Sequence, residues 1–230
     1  ITNNGNDLAV TQTSDQTFSG TLSGVGGMTK QGEATLTLSN GSDFTGVANV
    51  NEGGLVVSGA LATDTINVAN EATLTTTAAD LLSSAVTVTA DGTVTLGGDQ
   101  TLTSLIGAST GVVNIGANNL LLTGGANFQG RISGTNGTVS AGPGDLILGG
   151  DNTFTGALSI LSGSTITLEG SVDGNVGIAV GSELVLGSAE RIADEAGLTV
   201  NGILNTTGTE TVDSLIAGGT IHGPGTVRAL

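Results

Sequence analysis

The chain has 230 residues, of which 37% are hydrophobic, 40 are Gly, four are Phe, one is Met, and none are Trp, Tyr or Cys. That composition excludes a broad aromatic-filled globular core, a disulfide framework and a thiolate metal site, and it leaves Val, Ile, Leu, Ala and Thr to fill a thin interior. Twenty acids against four cations give a net charge of −16, which argues against DNA, RNA or an anionic membrane as partner, because phosphate recognition needs clustered cations.

Short runs of alternating apolar residues follow one another along the chain: Leu8–Val10, Ala34–Leu38, Gly46–Val50, Leu55–Val57, Ile66–Val68, Ala85–Thr89, Thr93–Leu96 and Val112–Ile115. They continue through Leu120–Leu122, Asp145–Leu148, Ala157–Ile160, Thr165–Leu168, Val176–Val180, Glu183–Leu186, Leu198–Val200, Thr209–Ile216 and Thr226–Val227. Each reads as a strand. Between them lie Asn4-Gly5, Asn40-Gly41, Asp91-Gly92, Asp173-Gly174 and Asn201-Gly202, dipeptides that ordinarily signal hairpins. Two segments look helical, Ala78–Ser84 and Ser188–Ala196, each as one turn at a corner. No stretch qualifies as a membrane span: residues 100 to 130 are uncharged but are interrupted by Gly, Thr and Asn.

The chain also repeats itself. Phe18–Ala108 aligns without a gap on Phe128–Gly218, at an offset of 110 residues and with 22 of 91 positions identical. The kept positions are mostly Gly, Phe and aliphatic, including Phe18/Phe128, Gly20/Gly130, Leu36/Leu146, Leu38/Leu148, Phe44/Phe154, Leu74/Leu184 and Leu105/Leu215. A kept packing pattern with long-period self-similarity marks stacked, quasi-one-dimensional architectures. The hairpin reading therefore yields to an all-β parallel β-helix. Rungs of about 22 residues predict about ten rungs in a rod about 50 Å long, and crossovers between parallel strands favour the right hand. The expected divisions of this single solenoid are residues 1–17 as the end of a preceding rung, 18–127 and 128–217 as the two repeats, and 218–230 as the start of a third. Terminal rungs are expected to be exposed. Asn67, Asn114 and Asn175 are expected at corners, where amides stack into ladders or serve turns.

Gly27–Leu38 running on to Phe44-Thr45-Gly46 and Val50–Leu55, and Gly142–Leu148 running on to Asn152–Gly156, are two stretches that resemble the passenger-associated repeat of bacterial autotransporters, the type V secretion family. A third, Arg191–Asp194 with Leu198–Gly202, Ser214–Ile216 and Gly223–Val227, is similar to passenger rungs. The chain departs from the family at Glu33-Ala34, where Gly is usual, and at both Phe of the Phe-Thr-Gly step, where Tyr is common. The resemblance implies a Gram-negative surface or secreted protein exported through the outer membrane, with this chain a fragment of a longer passenger ending in a C-terminal membrane barrel.

No catalytic, cofactor-binding or metal-ligating residue is assigned. His222, beside Gly223-Pro224, reads as a surface residue. Gly97-Gly98-Asp99 and Gly149-Gly150-Asp151 look like fragments of calcium-binding nonapeptide repeats, but the nine-residue period is missing. Asn40-Gly41-Ser42 and Asn136-Gly137-Thr138 match the N-glycosylation triplet. The expected function is a non-enzymatic structural or adhesive rod at the cell surface. Its partners would be neighbouring copies, meeting end to end or side by side, and a host receptor or glycan. The alternative is a carbohydrate-active β-helix enzyme or a carbohydrate-binding module, and the enzyme requires clustered acids with a cation or aromatic beside them.

Overall fold

The computed structural model describes residues 1–230. It contains 32 short strands and no helix, and every strand pair is parallel. The chain winds as a three-sided coil. Face 1 is one continuous sheet of 12 strands from Leu8–Thr11 to Thr220–His222. Face 2 begins with the sheet from Gln16–Phe18 to Thr153–Phe154, narrows to the single bridges Asn152–Val172–Ile192, and widens again at Thr209–Val212 and Thr226–Ala229. Face 3 begins at Thr2–Asn3, narrows to the bridges Ser42–Leu61–Leu82, and continues as seven strands from Gln100–Leu102 to Ser214–Ala217. Edge I joins face 1 to face 2, edge II joins face 2 to face 3, and edge III returns to face 1.

The sequence dictates this shape through alternation and corners. Strands such as Thr65–Val68, Thr87–Ala90 and Glu183–Leu186 alternate half-exposed with buried residues, so one side of each strand lines the interior. In-register stacking turns those positions into aliphatic columns such as Leu36–Leu55–Leu74–Val94–Val113–Ile132, part of one core of 49 buried residues. All six Asn-Gly and Asp-Gly dipeptides, Asn136-Gly137 included, turn corners rather than hairpins.

The coil makes about 12 turns rather than ten, because corners shrink to one residue at Thr103 and Asp213 and successive face 1 strands are only 17 to 22 residues apart. Thr209–Ile216 is accordingly two strands that part at Asp213. Neither Ala78–Ser84 nor Ser188–Ala196 is helical. Asp80 and Glu190 take φ of 51°, which ends any right-handed turn, and Leu82 and Ile192 are drawn into the bridges instead.

The 110-residue repeat does not return to its starting face. Thr35–Leu38 lies on face 2, but its equivalent Leu146–Leu148 lies on face 1; Thr87–Ala90 is on face 1, but Gly197–Val200 is on face 3. One repeat advances the coil by five and two-thirds turns. The ungapped equivalence also slips by one residue in two places: the inward pair Met28/Lys30 matches Val139/Ala141, and Leu55/Val57 matches Ile166/Leu168. Elsewhere local packing repeats closely. A Cβ on Gly20 or Gly130 would lie 2.6 Å from the ring of Phe18 or Phe128, so each glycine exists to let a phenylalanine fold back over it.

Candidate functional surface and corner sites

The acids are arranged by edge. Edge I carries Asp15, Glu33, Glu52, Glu71, Asp91, Asp151, Glu169 and Glu190, about one per rung, and edge II carries Asp80, Asp99, Asp173, Asp194, Glu195 and Asp213. Edge III carries only Asp7 and Asp64. Glu33, Glu52 and Glu71 line a shallow hollow with Asn51 and Asn70, and Glu195 and Asp213 line another on face 3 with Asn175 and Gly177; each groups carboxylates, as a sugar-cleaving site requires.

The one cation beneath the first hollow is committed elsewhere. Lys30 alternates inward with Met28 and stands in a face 1 column between Val10 and Val50, fully buried. Its ammonium donates to the carbonyls of Gln31 (3.0 Å), Gly32 (2.7 Å) and Glu52 (3.1 Å), which uses all three of its protons. Burial lowers its pKa, opposed by the charges of Glu52 and Asp15. The Glu52 carboxylate accepts the Gly32 amide at 2.8 Å. Lysine and glutamate thus fasten two successive corners, and the lysine has no proton left for a substrate.

The other candidates are likewise tied to neighbouring rungs. Asp99 accepts the backbone amide (2.7 Å) and side-chain amide (2.9 Å) of Asn119, which lower its pKa, while Asp151 accepts the Ser171 hydroxyl at 3.1 Å; no group of three or more acids and histidines is placed to hold a metal ion. His222 is exposed on the last face 1 strand. Asn40, at edge II, donates its amide to Ser19 O, and Asn136, at the same edge, takes φ of 61°. Asn67 is mid-strand, not at a corner, and donates to Asn49 at 2.9 Å, forming a two-amide ladder. Asn114 accepts Gly116 N within its own turn, and Asn175 accepts Gly197 N from the next rung.

Sequence reasoning missed two buried polar clamps. Ser42 Oγ and Asn152 Oδ1 accept the amides of Leu22 and Ile132; Gln100 Oε1 and Glu210 Oε1 accept those of Leu82 and Ile192. They start and finish the two narrowed stretches of sheet, where backbone partners run out. The signal was present in the repeat: both polar pairs, Ser42/Asn152 and Gln100/Glu210, stand at the 110-residue offset.

At the first turn a cavity of about 340 Å³ opens along the coil axis, lined mainly by Leu8, Val10, Phe18, Leu22, Leu36 and Leu38. It is the mouth of the core itself. Face 3 offers a different surface: its seven strands from Gln100 to Ala217 contain no charged residue.

The Passenger-associated-transport-repeat family matches the chain twice, over residues 28–57 and 139–168. Both matches begin and end within the two segments where the repeats slip by one residue. Two such repeats on a β-solenoid are consistent with an autotransporter passenger domain, the exported, surface-directed part of such proteins. Searches of curated proteins and of solved structures each found no match.

Proposed function

We propose that this β-solenoid with two passenger-associated transport repeats is a non-enzymatic segment of a bacterial surface or secreted passenger, a rigid rod that associates with copies of itself. The observation that carries the reading is the coincidence of both repeats with an uninterrupted parallel coil whose face 1 runs through all 12 strands. A coil without a break is stiff, because bending it would tear parallel ladders on the outer side of the bend. At about 4.8 Å per rung it holds its ends about 50 Å apart. The acids along edges I and II keep so uncharged a β surface soluble. A structural role is favoured over carbohydrate chemistry by the engaged state of Lys30 and Glu52 at the acidic hollow.

The test is export. Placed between a signal peptide and an autotransporter barrel, the chain should reach the surface of intact Gram-negative cells and be shaved off by added protease. Retention inside the outer membrane would overturn the reading of the chain as a passenger segment, and small-angle scattering from a sphere rather than a rod would overturn its mechanics.

A further inference from the structure

We propose that the uncharged flank made of the seven face 3 strands from Gln100 to Ala217 and the edge III corners beside them is the surface through which two copies of this chain pair side by side. The inference rests on the reading of the chain as a self-associating rod and specifies the contact.

Charge placement carries it. Because the repeat is rotated by one face, positions on edge I in the first repeat have their equivalents on edge III in the second. Glu33, Glu52, Glu71 and Asp91 are matched there by Pro143, Ser162, Gly181 and Asn201. The reverse exchange occurs too: Gly41 and Gly59 on edge II correspond to Asp151 and Glu169 on edge I. Charge follows position on the rod and not position in the repeat. Duplication alone would have carried acids onto edge III, yet from Thr65 onward that edge has none.

Apolar exposure follows the same line. Leu161 and Val180 (72% exposed) stand on edge III beside the face 3 strands and Ile216 (64% exposed) on face 3 itself, with Val25 and Val47 further along edge III between Asp7 and Asp64. Ile203 and Ile221 are exposed on face 1, and of the exposed large hydrophobics only the terminal Ile1 and Leu230 lie elsewhere. Face 3 beside Leu161 and Val180 is dented at Gly177, where an added Cβ would meet nothing within 4 Å. Ser159 and Thr199 flank the dent in register, Leu161 forms its rim on the edge III side, and Glu195 and Asp213 of edge II border it on the other.

The occupant is selected by charge. For a molecule of net charge −16, the side centred on edge III, with two acids against eight on edge I and six on edge II, is where a second copy can lie with the least repulsion between carboxylates. Seven strands about 4.8 Å apart make a face about 30 Å long. With a width of about 20 Å it buries about 1,200 Å² in total, at the low end of specific interfaces.

Sedimentation velocity over a micromolar concentration series, at low and high salt, tests the pairing. The wild type should form a reversible dimer that tightens with salt, as repulsion between the remaining acids is screened. Gly177→Glu with Val180→Glu should be monomeric with an unchanged circular dichroism spectrum, while Thr75→Glu on face 2 should dimerise like the wild type. As a second readout, Val180→Cys should oxidise to a covalent dimer and Glu52→Cys should not.

A wild type that stays monomeric, a dimer that survives Gly177→Glu with Val180→Glu, or unlimited end-to-end oligomers would each overturn the inference. So would a monomer retained on dextran through the same two positions, which would assign the flank to a neutral glycan. An unordered spectrum in the wild type would instead sink the rod itself.

Discussion

Gln100 and Glu210, equivalent residues of the two repeats, close the same gap on different faces of the coil. Gln100 Oε1 accepts Leu82 N at 3.2 Å on face 3, and Glu210 Oε1 accepts Ile192 N at 2.5 Å on face 2; both side chains are buried. They differ in the second atom. Gln100 Nε2 donates to Ala78 O at 2.8 Å, whereas Glu210 Oε2 accepts Arg191 N at 3.1 Å.

Burial pushes the Glu210 pKa up, aided by the neighbouring Glu190 and opposed by the Ile192 and Arg191 amides and the Arg191 charge. Between its unfolded and folded values the native state keeps a proton that the unfolded chain releases. The stabilisation is therefore fully present below about 4.5, the ordinary value, and is lost as pH rises through the raised one. Glu210→Gln carries the neutral form at every pH. It also sets an NH2 group where Oε2 accepts Arg191 N, a cost that does not vary with pH, so its urea midpoint should gain on that of the wild type as pH rises from about 4 to 7; a gap that stays constant or moves the other way would mean that ionisation of Glu210 does not weaken the fold.

Asp99 behaves in the opposite sense. Its carboxylate is held by both amides of Asn119, and its pKa is lowered. The stability it contributes is present above the ordinary value of 3.8 and disappears as pH falls through the folded value. Asp99→Asn should unfold at lower urea than the wild type at neutral pH, and the two curves should merge in strong acid. A constant gap down to the lowest pH would separate the effect from ionisation.

Glycines at corners and glycines on faces should respond differently to a methyl group. A Cβ on Gly111, at edge I, would sit 1.9 Å from Ala90 O and 3.1 Å from the Phe128 ring, while one on Gly177 meets nothing within 4 Å. Gly111→Ala should cost about 3 kcal/mol through overpacking. Gly177→Ala should stabilise the monomer by about 0.5 kcal/mol, by restricting the unfolded chain. Equal effects in denaturant titrations would show that the corner relaxes.

The coil was legible because its evidence is periodic. Alternation marked the strands, and the 110-residue offset overruled the hairpin signals at Asn40-Gly41 and Asp91-Gly92. What hid the turn number was corner length: one residue suffices at Thr103, and Asp213 turns a corner inside the run Thr209–Ile216. The rotation of the repeat was hidden because alternation tells inside from outside but is blind to which of three faces a strand occupies. Lys30 could have been placed inside by parity with Met28. Its charge argued otherwise, since a buried ammonium is costly unless carbonyls meet it, and the carbonyls of Gln31, Gly32 and Glu52 converge only once two rungs are stacked.

Glu71 on edge I and Gly181 on edge III offer a direct comparison at one position of the repeat. They share a left-handed conformation, φ 69° and 76°, and each turn is closed alike, by Ala72 N to Ala69 O at 3.0 Å and Ser182 N to Ala179 O at 3.2 Å. A side chain in that region costs about 1–2 kcal/mol, offset by about 0.5–1 kcal/mol for the flexibility glycine loses on folding. Glu71→Gly should therefore raise stability by about 0.5 kcal/mol, and Gly181→Glu should lower it by a similar amount. A destabilised Glu71→Gly would reveal that this carboxylate holds a partner.

Acidification should drive the rods together. At neutral pH the 20 acids outnumber the four cations, and the strings of carboxylate along edges I and II confine close approach to the neutral flank. As pH falls toward about 4, carboxylates in the ordinary range take up protons, the net charge shrinks, and the repulsion that keeps the other two edges apart goes with it. Association then ceases to be selective for one flank. Light scattering should rise on titration toward pH 4 and fall again on neutralisation, and the Gly177→Glu, Val180→Glu variant should follow the same acid branch although it is monomeric at pH 7. A flat trace would mean that charge is not what limits contact between rods, and the electrostatic basis for assigning the pairing flank would fall with it.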